Sequence, residues 1–99
     1  MKAWELLDSL EKWCKGALSK DAWGFPVSIE EGVCWCTAGA ILKCHPEDNA
    51  PLRNKTLFML ESVLKDRKMI TMGQSTGAWN DAPKRTWREV YDLLRELDI

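Results

Sequence analysis

The part of the sequence that decides the fold is an almost uncharged run near the middle of the chain: Val33-Cys34-Trp35-Cys36-Thr37-Ala38-Gly39-Ala40-Ile41-Leu42-Lys43-Cys44. On a helical wheel only Lys43 interrupts the ring of apolar and small residues, which is typical of a helix buried on most sides. Pro46 predicts the end of this helix, because the residue before a proline avoids the α conformation. Gly39 costs about 1 kcal/mol of helix propensity against alanine, so we interpret it as a point where neighbouring helices approach closely.

Helical periodicity predicts three more helices around this central one. Apolar residues recur at three- and four-residue steps over 2–18 and again over 51–67. A last helix is predicted to begin at Thr86, because Thr86 and Glu89 have the spacing of a capping box. The predicted fold class is all-α: one compact four-helix domain over residues 1–99, with a central apolar second helix.

Two long segments without helical periodicity, 19–32 and 69–85, are predicted to be ordered loops. Loops of this length in a compact domain are often functional. The sequence also allows a short strand or hairpin in the first loop. We expect each loop to be anchored by its apolar residues, which are Trp23, Phe25, Val27 and Ile29 in the first and Ile70, Met72 and Trp79 in the second.

The net charge of the protein is too small to attract a charged partner to the molecule as a whole. Fourteen basic and fifteen acidic residues give a net charge of -1, so nucleic acid is an unlikely partner and would require a local basic patch. There is no run of about 18 or more apolar residues, so no membrane association is expected. The N-terminal sequence lacks a secretory pattern, so we expect a cytoplasmic protein with reduced thiols.

The cysteines do not have the spacing of a metal or catalytic site. Zinc is considered because Cys34 and Cys36 are near Cys44 and His45. In a helix, however, Cys34 and Cys36 would lie about 160° apart around the axis, and His45 would lie at the opposite end from Cys34. We therefore predict buried structural thiols, with no catalytic residue, no metal and no cofactor.

A cluster of positive charge precedes the last helix, in the order Lys84-Arg85-Thr86-Trp87-Arg88. Free N–H groups at a helix N-terminus can bind an anion, and cations there would help. The alternative is internal ion pairing, with Asp81 just upstream and Glu89 in the first turn of the helix as the compensating carboxylates. In this interpretation Arg85 binds Asp81 across Pro83, and Arg88 binds Asp92 one turn later. Both interpretations are kept.

Two segments carry a resemblance to a known family: Cys36-Thr37-Ala38-Gly39-Ala40, and Trp79-Asn80-Asp81-Ala82-Pro83-Lys84-Arg85-Thr86 followed by Glu89-Val90. They resemble an uncharacterised family of small bacterial and bacteriophage proteins with Cys-x-x-Gly-Ala and Trp-Asn-Asp-x-Pro-x-Arg-Thr-x-x-Glu-Val segments. The resemblance implies a helical domain in which the central helix and the second segment belong to one site or one structural unit. It implies no activity.

Two functional hypotheses follow. The first is a non-enzymatic protein-binding module, such as a phage or mobile-element accessory or inhibitor protein, that docks on a host protein or a second copy of itself. The second is a small-ligand or anion site, enzymatic or not, between the two long loops. The candidate binding residues are Trp79, Asn80, Asp81, Arg85, Arg88, Cys36 and Phe58, the last because the helical wheel places it outside the apolar stripe of its helix.

Overall fold

The structure is a computed structural model that describes residues 1–45, 50–71 and 73–99. The predictions made for Pro46 and Met72 therefore lie outside the described residues. In the described part of the chain the helices are α1 (Ala3–Leu6), α2 (Thr37–Cys44), α3 (Ala50–Asp66), α4 (Thr76–Asn80) and α5 (Trp87–Leu97). The strands are β1 (Ser19–Lys20) and β2 (Cys34–Trp35).

The all-α prediction is wrong, because β1 and β2 form a small antiparallel sheet and the described helices number five rather than four. Ser19 pairs with Trp35, and Lys20 pairs with Cys34. Lys20 also bridges Pro26, so the strand or hairpin that the sequence left open is present in the first loop. The strand pairing overrides the helical pattern of residues 33–36, since a short apolar run fits a buried strand as well as a buried helix.

The predicted first helix over 2–18 is also wrong. α1 ends at Leu6, a 3₁₀ turn covers Leu10–Lys12, and Trp13 is extended and bridges Trp35. A continuing helix would use the carbonyl of Leu7 for its own backbone. Instead, the indole nitrogen of Trp87 donates to that carbonyl at 2.7 Å, so a tertiary contact replaces the next helical bond.

The central helix begins at Thr37, four residues later than predicted. Cys36 caps it, with its sulfur accepting the N–H of Gly39 at 3.3 Å. As predicted, α2 is central, since it packs against α1, α3, α4 and β2. The close approach at Gly39 is confirmed, because a Cβ built there would lie 1.9 Å from the carbonyl oxygen of Leu18, but the neighbour is a non-helical segment and not a helix.

The helices that carry strong local sequence signals lie where the sequence predicts them. α3 lies within one residue of the predicted bounds at each end, and α5 begins with the predicted capping box between Thr86 and Glu89. The second loop contains α4, a five-residue helix capped by Ser75 that the sequence analysis did not predict. In the described residues no helix is long and apolar enough to cross a membrane.

The core lies between α1, α2, α3 and α5, and α4 closes one side with Trp79. Its buried hydrophobic residues are Ala3, Leu7, Trp35, Ala40, Ile41, Leu60, Leu64, Ile70, Trp79, Val90, Leu93, Leu94 and Ile99.

Candidate functional site

Asn80, at the end of α4, is the polar centre of the molecule. It is fully buried, and its side-chain oxygen accepts hydrogen bonds from the indole of Trp13 at 2.7 Å, the N–H of Thr37 at 2.9 Å and the hydroxyl of Thr37 at 2.7 Å. Its amide nitrogen donates to the carbonyl of Cys14 at 3.1 Å and to Asp81 at 2.9 Å. Both ends of the amide are thus fully engaged inside the protein. Asn80 is therefore a structural link between the second long loop, residues 13 and 14, and the start of α2.

The second long loop is joined directly beside Asn80 to residues 13–16, which precede the first long loop. A carboxylate oxygen of Asp81 accepts the N–H of Gly16 at 3.1 Å, and the ammonium of Lys15 donates to the carbonyl of Ala82 at 2.7 Å. The groups of the Asn80-Asp81-Ala82 turn therefore bind the loop that follows Trp13.

Arg85 does not pair with Asp81, so that prediction is wrong. Its guanidinium lies over the Trp79 ring at 4.5 Å from the centroid, and its Nε donates to the Trp79 carbonyl at 2.9 Å. Its Nη1 binds Glu89 at 2.7 Å, one helical turn further along α5. This hydrogen bond from Arg85 lowers the pKa of the Glu89 carboxyl, helped by the hydroxyl and N–H of Thr86.

The positive cluster before α5 is compensated by neighbouring carboxylates. Arg85 binds Glu89, and Arg88 binds Asp92 at 3.1 Å, as the spacing predicted for the second pair. Lys84 is exposed. Since both arginines already hold a carboxylate, the structure brings Arg85 and Arg88 to the same end of α5 but gives them no shared anion site.

The four thiols are free, with Cys34 and Cys36 buried and Cys14 and Cys44 half-buried, so the prediction of buried thiols holds for two of them. Cys36 is the cap of α2, and burial raises its pKa. Cys14 lies beside β2, where its N–H donates to the carbonyl of Trp35 at 3.1 Å. Burial, together with a hydrogen bond to Cys34, raises the pKa of the Cys14 thiol to about 12. In the described part of the chain, no three His, Cys, Asp or Glu residues are grouped so that they could hold a metal ion.

The sequence analysis missed the most exposed aromatic residues of the first loop. Trp23 is 82% exposed and Phe25 is 66% exposed, although both were predicted to anchor the loop to the core. They lie in a tight turn over residues 21–25, which we call the aromatic turn. The sequence contained a usable signal, since Asp21 and Gly24 have the spacing of a turn, and residues at the tip of a turn point into solvent.

The backbone of the aromatic turn is fixed by Asp21. One of its carboxylate oxygens accepts the N–H of Trp23 at 2.9 Å and the N–H of Phe25 at 3.0 Å. The Asp21 N–H in turn donates to the Phe25 carbonyl at 2.9 Å, and Gly24 supplies the left-handed residue with a φ of 86°. The turn therefore presents its two rings from a backbone that is already ordered.

Phe58 lies on α3 and is 72% exposed, which confirms the prediction that it points away from the core. A shallow groove of about 220 Å³ lies near the same helix, away from the Asn80 region. It is lined by Lys2, His45, Leu52, Lys55, Thr56, Met59, Asp98 and Ile99.

The fold and the Asn80 region define a small helix-rich domain whose second long loop is tied to the start of α2 by one buried asparagine. The chain belongs to DUF6197, a family of unknown function, whose sequence profile matches residues 1–97. This confirms the expected membership of an uncharacterised family. No curated protein and no solved structure matches the chain.

Proposed function

We propose that this protein is a non-enzymatic protein-binding module and that the aromatic turn is its docking surface. The observation that carries the proposal is the pair Trp23 and Phe25, which are exposed on a turn held by hydrogen bonds of Asp21. Among the described residues neither ring takes part in an aromatic pair or a cation–π contact, and both rings are largely exposed to solvent.

Physical chemistry supports a role in binding for such a turn. Burying an aromatic side chain of about 200 Å² contributes on the order of a few kcal/mol, and tryptophan is enriched at the centres of protein interfaces. Binding also costs entropy when flexible loops become ordered. The bonds from Asp21 to Trp23 and Phe25 remove much of this cost before a partner arrives.

The alternative, a small-ligand or anion site between the long loops, has less support. Asp81 and Arg85 do not converge on a pocket, because one binds Gly16 and the other binds Trp79 and Glu89. The groove near α3 holds about 220 Å³, which is smaller than the several hundred Å³ usual for ligand sites.

We further propose that the protein acts in the cytoplasm, bound to a host protein, as an accessory or inhibitory protein of a phage or mobile element. Its support is the resemblance of the two sequence segments to small bacterial and bacteriophage proteins. The nearly balanced charge of -1 favours a protein partner over nucleic acid.

Site-specific photo-crosslinking tests the proposal. A photoreactive amino acid is placed at Phe25 or, in a second variant, at Phe58, and the full chain is expressed in its native host before mass spectrometry of the crosslinked products. Phe58 is the comparison position because it is equally exposed but lies on α3. We expect one defined protein crosslinked at Phe25, including a second copy of this chain if it self-associates.

Two substitutions complete the test. Trp23→Ser should abolish that crosslink while leaving the thermal stability unchanged, since the ring contributes little to the core. Phe58→Ser should leave the crosslink intact. The aromatic turn is not the docking surface if the crosslink to the partner survives Trp23→Ser. The same conclusion follows if the crosslink is lost only with Phe58→Ser.

A further inference from the structure

We infer that the element bound by the aromatic turn is a positively charged protein segment with an arginine that stacks on Trp23. This inference rests on the proposed function and adds the chemistry of the partner. It is carried by the charge of the surface around the turn and by the uncovered face of the tryptophan ring.

The aromatic turn belongs to a continuous unit, residues 19–33. The N–H of Val33 donates to the carbonyl of Lys20 at 2.9 Å, and the N–H of Val27 donates to the carbonyl of Ser19 at 3.2 Å. The hydroxyl of Ser19 donates to the carbonyl of Ser28 at 3.2 Å. These hydrogen bonds join the residues before and after the turn to it in one ordered unit, and the exposed side chains of 19–33 are the surface of this unit.

This unit is acidic. It contains three carboxylates, Asp21, Glu30 and Glu31, and one ammonium, Lys20. Glu30 and Glu31 are exposed, and among the ion pairs of the described residues none involves either of them. The surface thus combines exposed aromatic rings with negative charge that the described residues leave unneutralised, and it is complementary to a positively charged partner.

In the described structure Trp23, Trp35 and Trp87 have no cation over their rings, and of these three only Trp23 is exposed, since Trp35 is buried and Trp87 is half-buried. Arg85 covers Trp79 at 4.5 Å, Lys15 covers Trp13 at 5.5 Å and Arg95 covers Trp4 at 5.6 Å. An arginine of a partner can complete the same arrangement, because its planar guanidinium stacks on an indole and donates to a carboxylate at the same time.

The same features disfavour other partners. Phosphate groups of nucleic acid or of anionic lipids would be repelled by Glu30 and Glu31. Addition of a strand to the hairpin is hindered because Pro26, on the segment that pairs with Lys20, has no N–H to donate. The remaining mode of binding is recognition of a basic protein segment through its side chains.

NMR titration of the full chain with short peptides tests the inference. The probes are a peptide of alternating arginine and glycine, its lysine counterpart and its glutamate counterpart. The Trp23 indole signal is identified by its loss in Trp23→Phe. We expect the arginine peptide to shift that signal and the backbone signals of 19–33, the lysine peptide to bind at least about threefold more weakly, and the glutamate peptide to cause no shift.

Charge variants provide the second arm. Glu30→Gln with Glu31→Gln should weaken the arginine peptide at least about threefold and reduce the dependence of its affinity on salt. The control, Glu11→Gln with Asp66→Asn, removes the same charge from exposed positions elsewhere and should have a smaller effect. Shifts that lie outside 19–33, equal binding of the lysine peptide, or equal effects of the two double variants would overturn the inference.

The two proposals fail in different ways. If the crosslinked host partner survives Trp23→Ser, the docking surface itself is wrong. If that partner is lost with Trp23→Ser but bound unchanged by the Glu30→Gln and Glu31→Gln double variant, the docking surface stands and only the basic character of the partner is wrong.

Discussion

The side-chain oxygen of Asn80 accepts both the backbone N–H and the hydroxyl of Thr37, at 2.9 and 2.7 Å, across 43 positions of sequence. Thr37 is the first residue of α2, and its N–H has no partner within the helix. Asn80 therefore satisfies the start of the central helix from the end of α4. The same oxygen also accepts the indole N–H of Trp13 and so holds the segment that precedes the first loop.

Replacing Asn80 should strongly destabilise the fold. Asn80→Ala leaves the N–H of Thr37 and the indole N–H of Trp13 buried without an acceptor, which should lower the free energy of unfolding by about 4 kcal/mol. Asn54→Ala is the control, since Asn54 is exposed on α3. Urea unfolding measures both, and a loss below about 1 kcal/mol for Asn80→Ala would contradict the role of Asn80 as a structural link.

Gly39 should not tolerate even one added methyl group. In Gly39→Ala the new Cβ would lie 1.9 Å from the Leu18 carbonyl oxygen, so the backbone must shift, and we expect a loss of about 1 to 3 kcal/mol despite the better helix propensity of alanine. Gly77→Ala in α4 is the matched control, because its Cβ would meet only the Ser75 hydroxyl at 3.5 Å. Thermal unfolding should show a lower Tm for the first variant only. Equal Tm values would mean that Leu18 moves away without cost.

Double-mutant cycles should show that Arg85 interacts with Glu89 and not with Asp81. Arg85→Gln and Glu89→Gln remove a pair joined at 2.7 Å, with Arg85 only 18% exposed, so we expect a coupling energy of up to about 1 kcal/mol. Arg85→Gln and Asp81→Asn should be additive, because the two residues have different partners. The opposite pattern of coupling would restore the pair suggested by the sequence.

Cys14 should make the protein less stable at alkaline pH. The folded state raises the pKa of this thiol to about 12, whereas an unfolded chain releases the proton near pH 8.5. Below that pH both states are protonated, and stability is unaffected. Above it only the unfolded state loses the proton, so the free energy of unfolding falls as pH rises toward the folded pKa.

The measurement compares the parent with Cys14→Ala at about pH 7 and about pH 10. Burial also raises the pKa of Cys36 and Cys44, and both thiols remain in the variant, so part of the alkaline loss persists. The stability difference between the parent and Cys14→Ala should shrink at the higher pH. A difference that stays constant would show that Cys14 titrates alike in the folded and unfolded states.

The sequence by itself determined the features that depend on neighbours within one or two helical turns. α3 and α5, the Thr86 and Glu89 capping box, the Arg88 and Asp92 pair and the outward position of Phe58 all follow from three- and four-residue spacing. The need for glycine at position 39 also followed, because a residue that weakens a buried helix needs a compensating contact.

Only the tertiary structure decided which distant residues bind groups that local structure would otherwise use. The predicted helix stops after Leu7, whose carbonyl accepts the Trp87 indole N–H, and residues 34 and 35 form a strand because they pair with Lys20 and Ser19. Asp81 accepts the N–H of the distant Gly16 and does not pair with Arg85. Trp13 and Asn80 meet across 67 positions. Such partners leave no periodic trace in the sequence, because a hydrogen bond between distant residues depends on the packing of the whole chain and not on spacing along it.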